Sequence, residues 1–156
     1  MRFGNRPHEP PNNFLQSFNV GYDQDLPVSL SFERVRQTRG WKVGSKRWKK
    51  AWKSCMDAEY DRLIGSRMTN LAQWQELCSK VGIEDTPSSI TQCKKVLRNV
   101  HVNIVDLLDC WNDNSIPRRF KNQNALAAYT RDNDRYFGRN TAKEDKVLKV
   151  LLREIL

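Results

Sequence analysis

Nine cationic side chains stand within one twenty-residue stretch: Arg34, Arg36, Arg39, Lys42, Lys46, Arg47, Lys49, Lys50 and Lys53, with no Asp or Glu among them. Such a set does non-covalent chemistry. Ammonium and guanidinium groups neutralise phosphates or carboxylates and release their counterions. The other 18 Lys and Arg are balanced by 18 Asp and Glu, so the whole net charge of +9 belongs to this stretch. Crowded like charges repel, and the stretch costs stability unless an anion binds there. The partner to expect is anionic, a nucleic acid or an acidic protein. A lipid headgroup is a further reading, and a solvated surface without a ligand is the plain one.

Other reactive residue types are spaced less tellingly. The chain has no GxxxxGK[ST], GxGxxG, HExxH or GxSxG motif. Asp106, Asp109 and Asp113 share a helix face that could hold a hard cation, but a solvated acidic face helping a helix N-terminus explains them more simply. His101 with Cys93 or Cys110 could form a base and nucleophile only if folding joined them. Asp57, Glu59 and Asp61 lie beside the basic stretch and suit internal ion pairs, such as Asp57 with Lys53 at i, i+4. The four cysteines, Cys55, Cys78, Cys93 and Cys110, form no CxxC pair, and each falls on an apolar helix face. They read as reduced core thiols. No catalytic residue, metal site or cofactor is expected.

The elements that position these residues read as helices. Ser29 or Ser31 is a possible cap for a helix ending at Arg39, with Gly40 behind it. Ser45 opens a basic amphipathic helix over about 45–64. At 100° per residue, Trp48, Ala51 and Trp52 share one side and Lys46, Lys49, Lys50 and Lys53 the other. The tryptophans should anchor the helix while the lysines face water, and Trp41, in the Gly40–Gly44 turn, is the indole that could be open for stacking, although burial in the core is the preferred reading. Asn70, Thr86-Pro87 and Asn103 each suit a helix start, and Thr141 with Glu144 forms a capping box for a last helix. Phe120 should return to the core before a short helix carrying Leu126 and Tyr129. The run Val100–Val105 is the one candidate strand and reads better as the approach to a helix.

These readings make an all-α chain of six or seven helices: a disordered Pro-rich tail over 1–13, then a single domain over 14–156. That length allows burial of roughly 70% of the unfolded surface. The longest apolar runs fall well short of a bilayer span, and the N-terminus has no apolar signal-peptide core, which points to a nuclear or cytoplasmic protein.

Phe14, Phe18, Tyr22-Asp23, Phe32, Trp41, Leu71, Trp74-Gln75, Leu77-Cys78, Pro87, Cys93, Val102 to Leu107, Phe120, Leu126, Tyr129-Thr130, Tyr136-Phe137, Ala142-Lys143 and Leu148 to Ile155 together resemble a recurrent C-terminal domain of uncharacterised fungal proteins. The resemblance spans nearly all of 14–156. It implies a helical module with no associated activity, cofactor or catalytic residue. Relatives carry more mixed charge opposite Lys46–Lys53, which makes the basic stretch particular to this chain. The expected function is non-enzymatic: a nucleic-acid- or chromatin-associated binding module acting through Arg34–Lys53. The alternative is a protein-interaction module, as a monomer or a homodimer, that docks an acidic partner.

Overall fold

The computed structural model describes residues 10–65, 68–138 and Val147. Among them the chain forms seven α-helices: α1 (Asn13–Gln16), α2 (Val28–Arg39), α3 (Lys46–Tyr60), α4 (Leu71–Lys80), α5 (Ile90–Leu97), α6 (Ile104–Asp113) and α7 (Gln123–Asp132). The fold is all-α, as the apolar periodicity indicates. One small exception corrects the reading of Val100–Val105. His101–Val102 forms β1, paired antiparallel to β2 (Arg119–Phe120), with His101 opposite Phe120. Two residues on each side are too few to leave an alternating pattern in sequence.

Local capping explains most of the helix starts. Ser45, Asn70, Ser89, Asn103 and Asn122 each accept the backbone N–H three residues on, which satisfies a donor the helix cannot. Gly40 closes α2 at φ 69°, a left-handed conformation that glycine adopts without a Cβ clash. Three boundaries differ from the sequence reading. The cap for α5 is Ser89 rather than Thr86, because Pro87 is engaged elsewhere: its carbonyl accepts a 2.8 Å hydrogen bond from Gln75 Nε2. Helix α2 starts after Pro27 with no local side-chain cap, and Asp109 supplies one from α6. The helix from Ser45 is α-helical only to Tyr60 and widens into a π turn over Asp61–Gly65. A Cβ at Gly65 would stand 2.7 Å from Asp61 Oδ1, so a larger residue there would push the Asp61 carboxylate aside.

Of the tail expected over 1–13, the described residues 10–13 lead into α1. Residues 1–9 lie outside the described residues, but Asn12 is fully buried and caps α1. Its Nδ2 donates to the Cys55 carbonyl and to Glu59 Oε1, both at 3.1 Å. The capping box at Thr141 lies outside the described residues, and of the last expected helix only Val147 is described, helical and buried.

One apolar cluster draws on α1 to α6, with Phe32, Tyr60, Trp74, Leu97, Leu107 and Trp111 among its larger members. Burial of each such side chain stabilises by about 1.5–3 kcal/mol. Helix α3 packs on α1, α2 and α6, so its register is set from three sides.

Candidate functional site

The nine cations occupy one corner of the fold. Arg34, Arg36 and Arg39 lie on the C-terminal half of α2, Lys42 on the connection, and Lys46, Arg47, Lys49, Lys50 and Lys53 on the first half of α3. An aromatic panel holds the corner. Trp48 and Trp52 stack on each other, with ring centroids 5.2 Å apart, and each meets Phe32 edge-on, at 5.9 and 5.3 Å. Trp41 fits between Phe18 and Phe32. Arg36 ties α2 to the connection that follows it, because its guanidinium donates a 3.0 Å hydrogen bond to the Trp41 carbonyl. The separation into an aromatic side and a cationic side therefore holds, with one refinement. The fully buried anchors of α3 are Ala51, Cys55, Met56, Glu59 and Tyr60, whereas Trp48 and Trp52 are half-buried at the rim. Trp41, read as a core residue in preference to an open stacking platform, is half-buried in the panel.

Two of the nine charges are neutralised. Arg36 pairs with Glu33 at 2.6 Å, and this contact holds the Glu33 carboxyl below the usual carboxylate range. Lys53 pairs with Asp57 at 2.7 Å, the i, i+4 pair expected from spacing. Arg34, Arg39, Lys42, Lys46, Arg47, Lys49 and Lys50 are exposed and have no carboxylate partner among the described residues. Arg39 lies 4.9 Å over the Phe18 ring, which fixes its guanidinium without reducing its charge. The field on α3 compounds the repulsion. Its first turn carries Lys46, Arg47 and Lys49 and no acid, so cations face the positive end of the helix dipole. A fold that tolerates this arrangement offers an anion several charges at once.

The other candidate clusters resolve into structure. Asp106 and Asp109 both bind Arg135, at 2.5 and 2.6 Å, and Asp109 also accepts the backbone N–H and hydroxyl of Ser29 at 2.9 and 2.6 Å. Asp113 accepts from Ser115. The solvated acidic face expected from spacing is thus an interhelical clamp instead, because Arg135 and Ser29, distant in sequence, fold onto it. No group of three or more His, Cys, Asp or Glu is placed to hold a metal ion among the described residues. His101 sits on β1 and makes no hydrogen bond to Cys93 or Cys110. All four thiols are free. Burial pushes Cys55 well up, Cys110 up, and Cys78, beside Cys93, up to about 12, which disfavours the thiolate that nucleophilic chemistry needs.

The internal ion pairing expected of Glu59 takes a form that sequence reasoning did not identify, a buried pair with Arg62 at the far end of α3. Glu59 and Arg62 are both buried and meet at 2.6 Å. Asn12 and Asn112 donate to the carboxylate, while the Gln24 carbonyl and Asn112 Oδ1 accept from Arg62. Only the i, i+3 spacing of the pair was visible beforehand.

Comparison with protein-family models, curated proteins and solved structures found no match to this chain. The site is therefore read from its own geometry.

Proposed function

We propose that the chain is a non-catalytic binding module whose Arg34–Lys53 surface takes the phosphate backbone of a nucleic acid, as a chromatin- or RNA-associated protein of nucleus or cytoplasm would. The observation that carries this reading is the set of seven exposed cations without carboxylate partners among the described residues, clustered on α2, α3 and their connection. Backbone neutralisation needs charge at this density and no base-reading motif, so the binding would be weakly selective for sequence.

With about six charges on phosphates, the log–log slope of affinity against salt is near −5. Fluorescence anisotropy on a short duplex at several salt concentrations measures it. The variant K46E/K49E/K50E/K53E should bind far more weakly and with a shallower slope. Affinity that ignores salt, or that survives the charge reversal, overturns the reading. An acidic protein partner, in a complex or a homodimer, is the second reading. It draws on Leu30, in the first turn of α2, and Val43, on the connection to α3, both exposed large apolar side chains. A dimer by light scattering that persists in high salt would favour it.

Among the described residues no helix is long and apolar enough to cross a membrane.

A further inference from the structure

Folding gathers a second set of cations that the balanced charge count conceals. Arg118, Arg119 and Lys121 flank or form β2, all are exposed, and none has a carboxylate partner among the described residues. Arg98, at the end of α5, and Arg131, in the last turn of α7, are exposed likewise. Between Lys94 and Arg131 the acids are Asp106, Asp109 and Asp113. Two of these are occupied by Arg135 and the third caps its own turn through Ser115. Between Lys94 and Arg131 seven Lys and Arg stand against these three acids, and none of the three carboxylates pairs with a β2 cation.

The second set is held in place. Arg118 lies over Phe120 at 4.7 Å and over Tyr129 at 5.9 Å, and those two rings pack at 4.9 Å. The β1–β2 register carries Lys121 past the paired His101 toward Val100 and so to the Arg98 end of α5. Its relation to the first surface follows from the chain. Trp52 Nε1 donates a 2.9 Å hydrogen bond to the Tyr136 carbonyl, and a Cβ at Gly138 would stand 3.9 Å from Lys53. Four Cα–Cα steps separate Asp132 from Tyr136, at most about 14 Å of extended chain. The end of α7 thus lies within that reach of the Trp52 indole on α3.

We infer that Arg118, Arg119 and Lys121, with Arg98 and Arg131 beside them, form a second phosphate-binding site that engages the same nucleic acid as Arg34–Lys53. The inference rests on the proposed function for its class of ligand. A 24-base-pair duplex, about 80 Å long at 3.4 Å per base pair, is long enough to reach both sites. Linking two sites on one polyanion raises affinity without new contacts at either.

The test measures anisotropy of a 24-base-pair duplex with the full chain. R118E/R119E/K121E should lower affinity for the duplex about tenfold or more at low salt and reduce the salt slope by about 2 to 3. R119Q/K121Q leaves Arg118 on its rings, protecting the fold, and should reduce the slope by about 2. Circular-dichroism melts confirm that the variants are folded. A 24-base-pair duplex bound by both variants with wild-type affinity and slope overturns the second site. If the wild-type chain binds duplex with a salt slope, and only the Lys46–Lys50 reversals weaken it, this inference alone fails. If the wild-type chain shows no salt-dependent binding, the proposed function fails with it.

Discussion

The two ends of α3 treat charge in opposite ways. Near Tyr60, Glu59 and Arg62 are buried together, and donors and acceptors from the N-terminal segment and α6 complete their shell. Around Ser45, the lysines and Arg47 stand in water without carboxylates, facing the positive end of the helix dipole. Removing two ions from water is tolerable only when their hydrogen bonds are satisfied. Exposed charge faces no such demand, because water screens it. The first region is a staple that folding requires. The second gives folding nothing and is available to a ligand.

That contrast breaks most visibly at the staple. Glu59→Ala leaves the Arg62 guanidinium buried without its carboxylate and should cost about 3–5 kcal/mol in a denaturant melt. A loss below about 1 kcal/mol would mean that water reaches the pair, and the contrast would vanish. At the opposite end the sign reverses. K46E/K49E/K50E should destroy binding yet raise stability by about 1–2 kcal/mol, because it relieves repulsion and puts acids in the first turn of α3. A destabilised variant would show that these lysines are structural. Asp109→Ala removes both the remote cap of α2 and one arm of the Arg135 clamp, and about 2 kcal/mol should be lost. Ser45→Ala, a local cap under the cationic surface, should cost about 1 kcal/mol and leave the salt slope of binding unchanged.

The smallest effect concerns Tyr129, under Arg118. Burial, with the Asp106 carboxylate alongside, pushes its phenol up to about 12 from an ordinary value of 10.0. The folded state thus keeps a proton that the unfolded state releases. The phenol's contribution is fully present below pH 10 and is lost as pH rises toward 12. Absorbance titration of Tyr129→Phe against the wild-type chain checks it. If the wild-type chain shows no late-titrating phenol that the variant lacks, Tyr129 is solvated, and the rings beneath Arg118 do not form a closed platform.

Much of the fold was legible because it is local. Ser45, Asn70 and Asn103 each reach a backbone N–H three residues away, and Gly40 needs only its own φ. The exposed lysines of α3 follow from a 100° step per residue, and the Lys53–Asp57 pair from one helical turn. The misreadings involve partners far apart in the chain. Asn12 meets Glu59 across 47 positions, and Ser29 meets Asp109 across 80. Thr86-Pro87 had the better local signature, yet Ser89 is the cap, since the Pro87 carbonyl is held by Gln75 on α4.

Composition and spacing alone determined the helical class, most helix starts and the presence of one uncompensated cationic stretch, because helical hydrogen bonds, caps and net charge are set by neighbours within about one turn. Which carboxylates are occupied was decided only by tertiary packing. Asp106 and Asp109 balance the cations of β2 in a count of charges but point at Arg135 and Ser29 in space. Charge along the chain is additive, whereas neutralisation is a contact within a few ångströms, and folding alone makes those contacts.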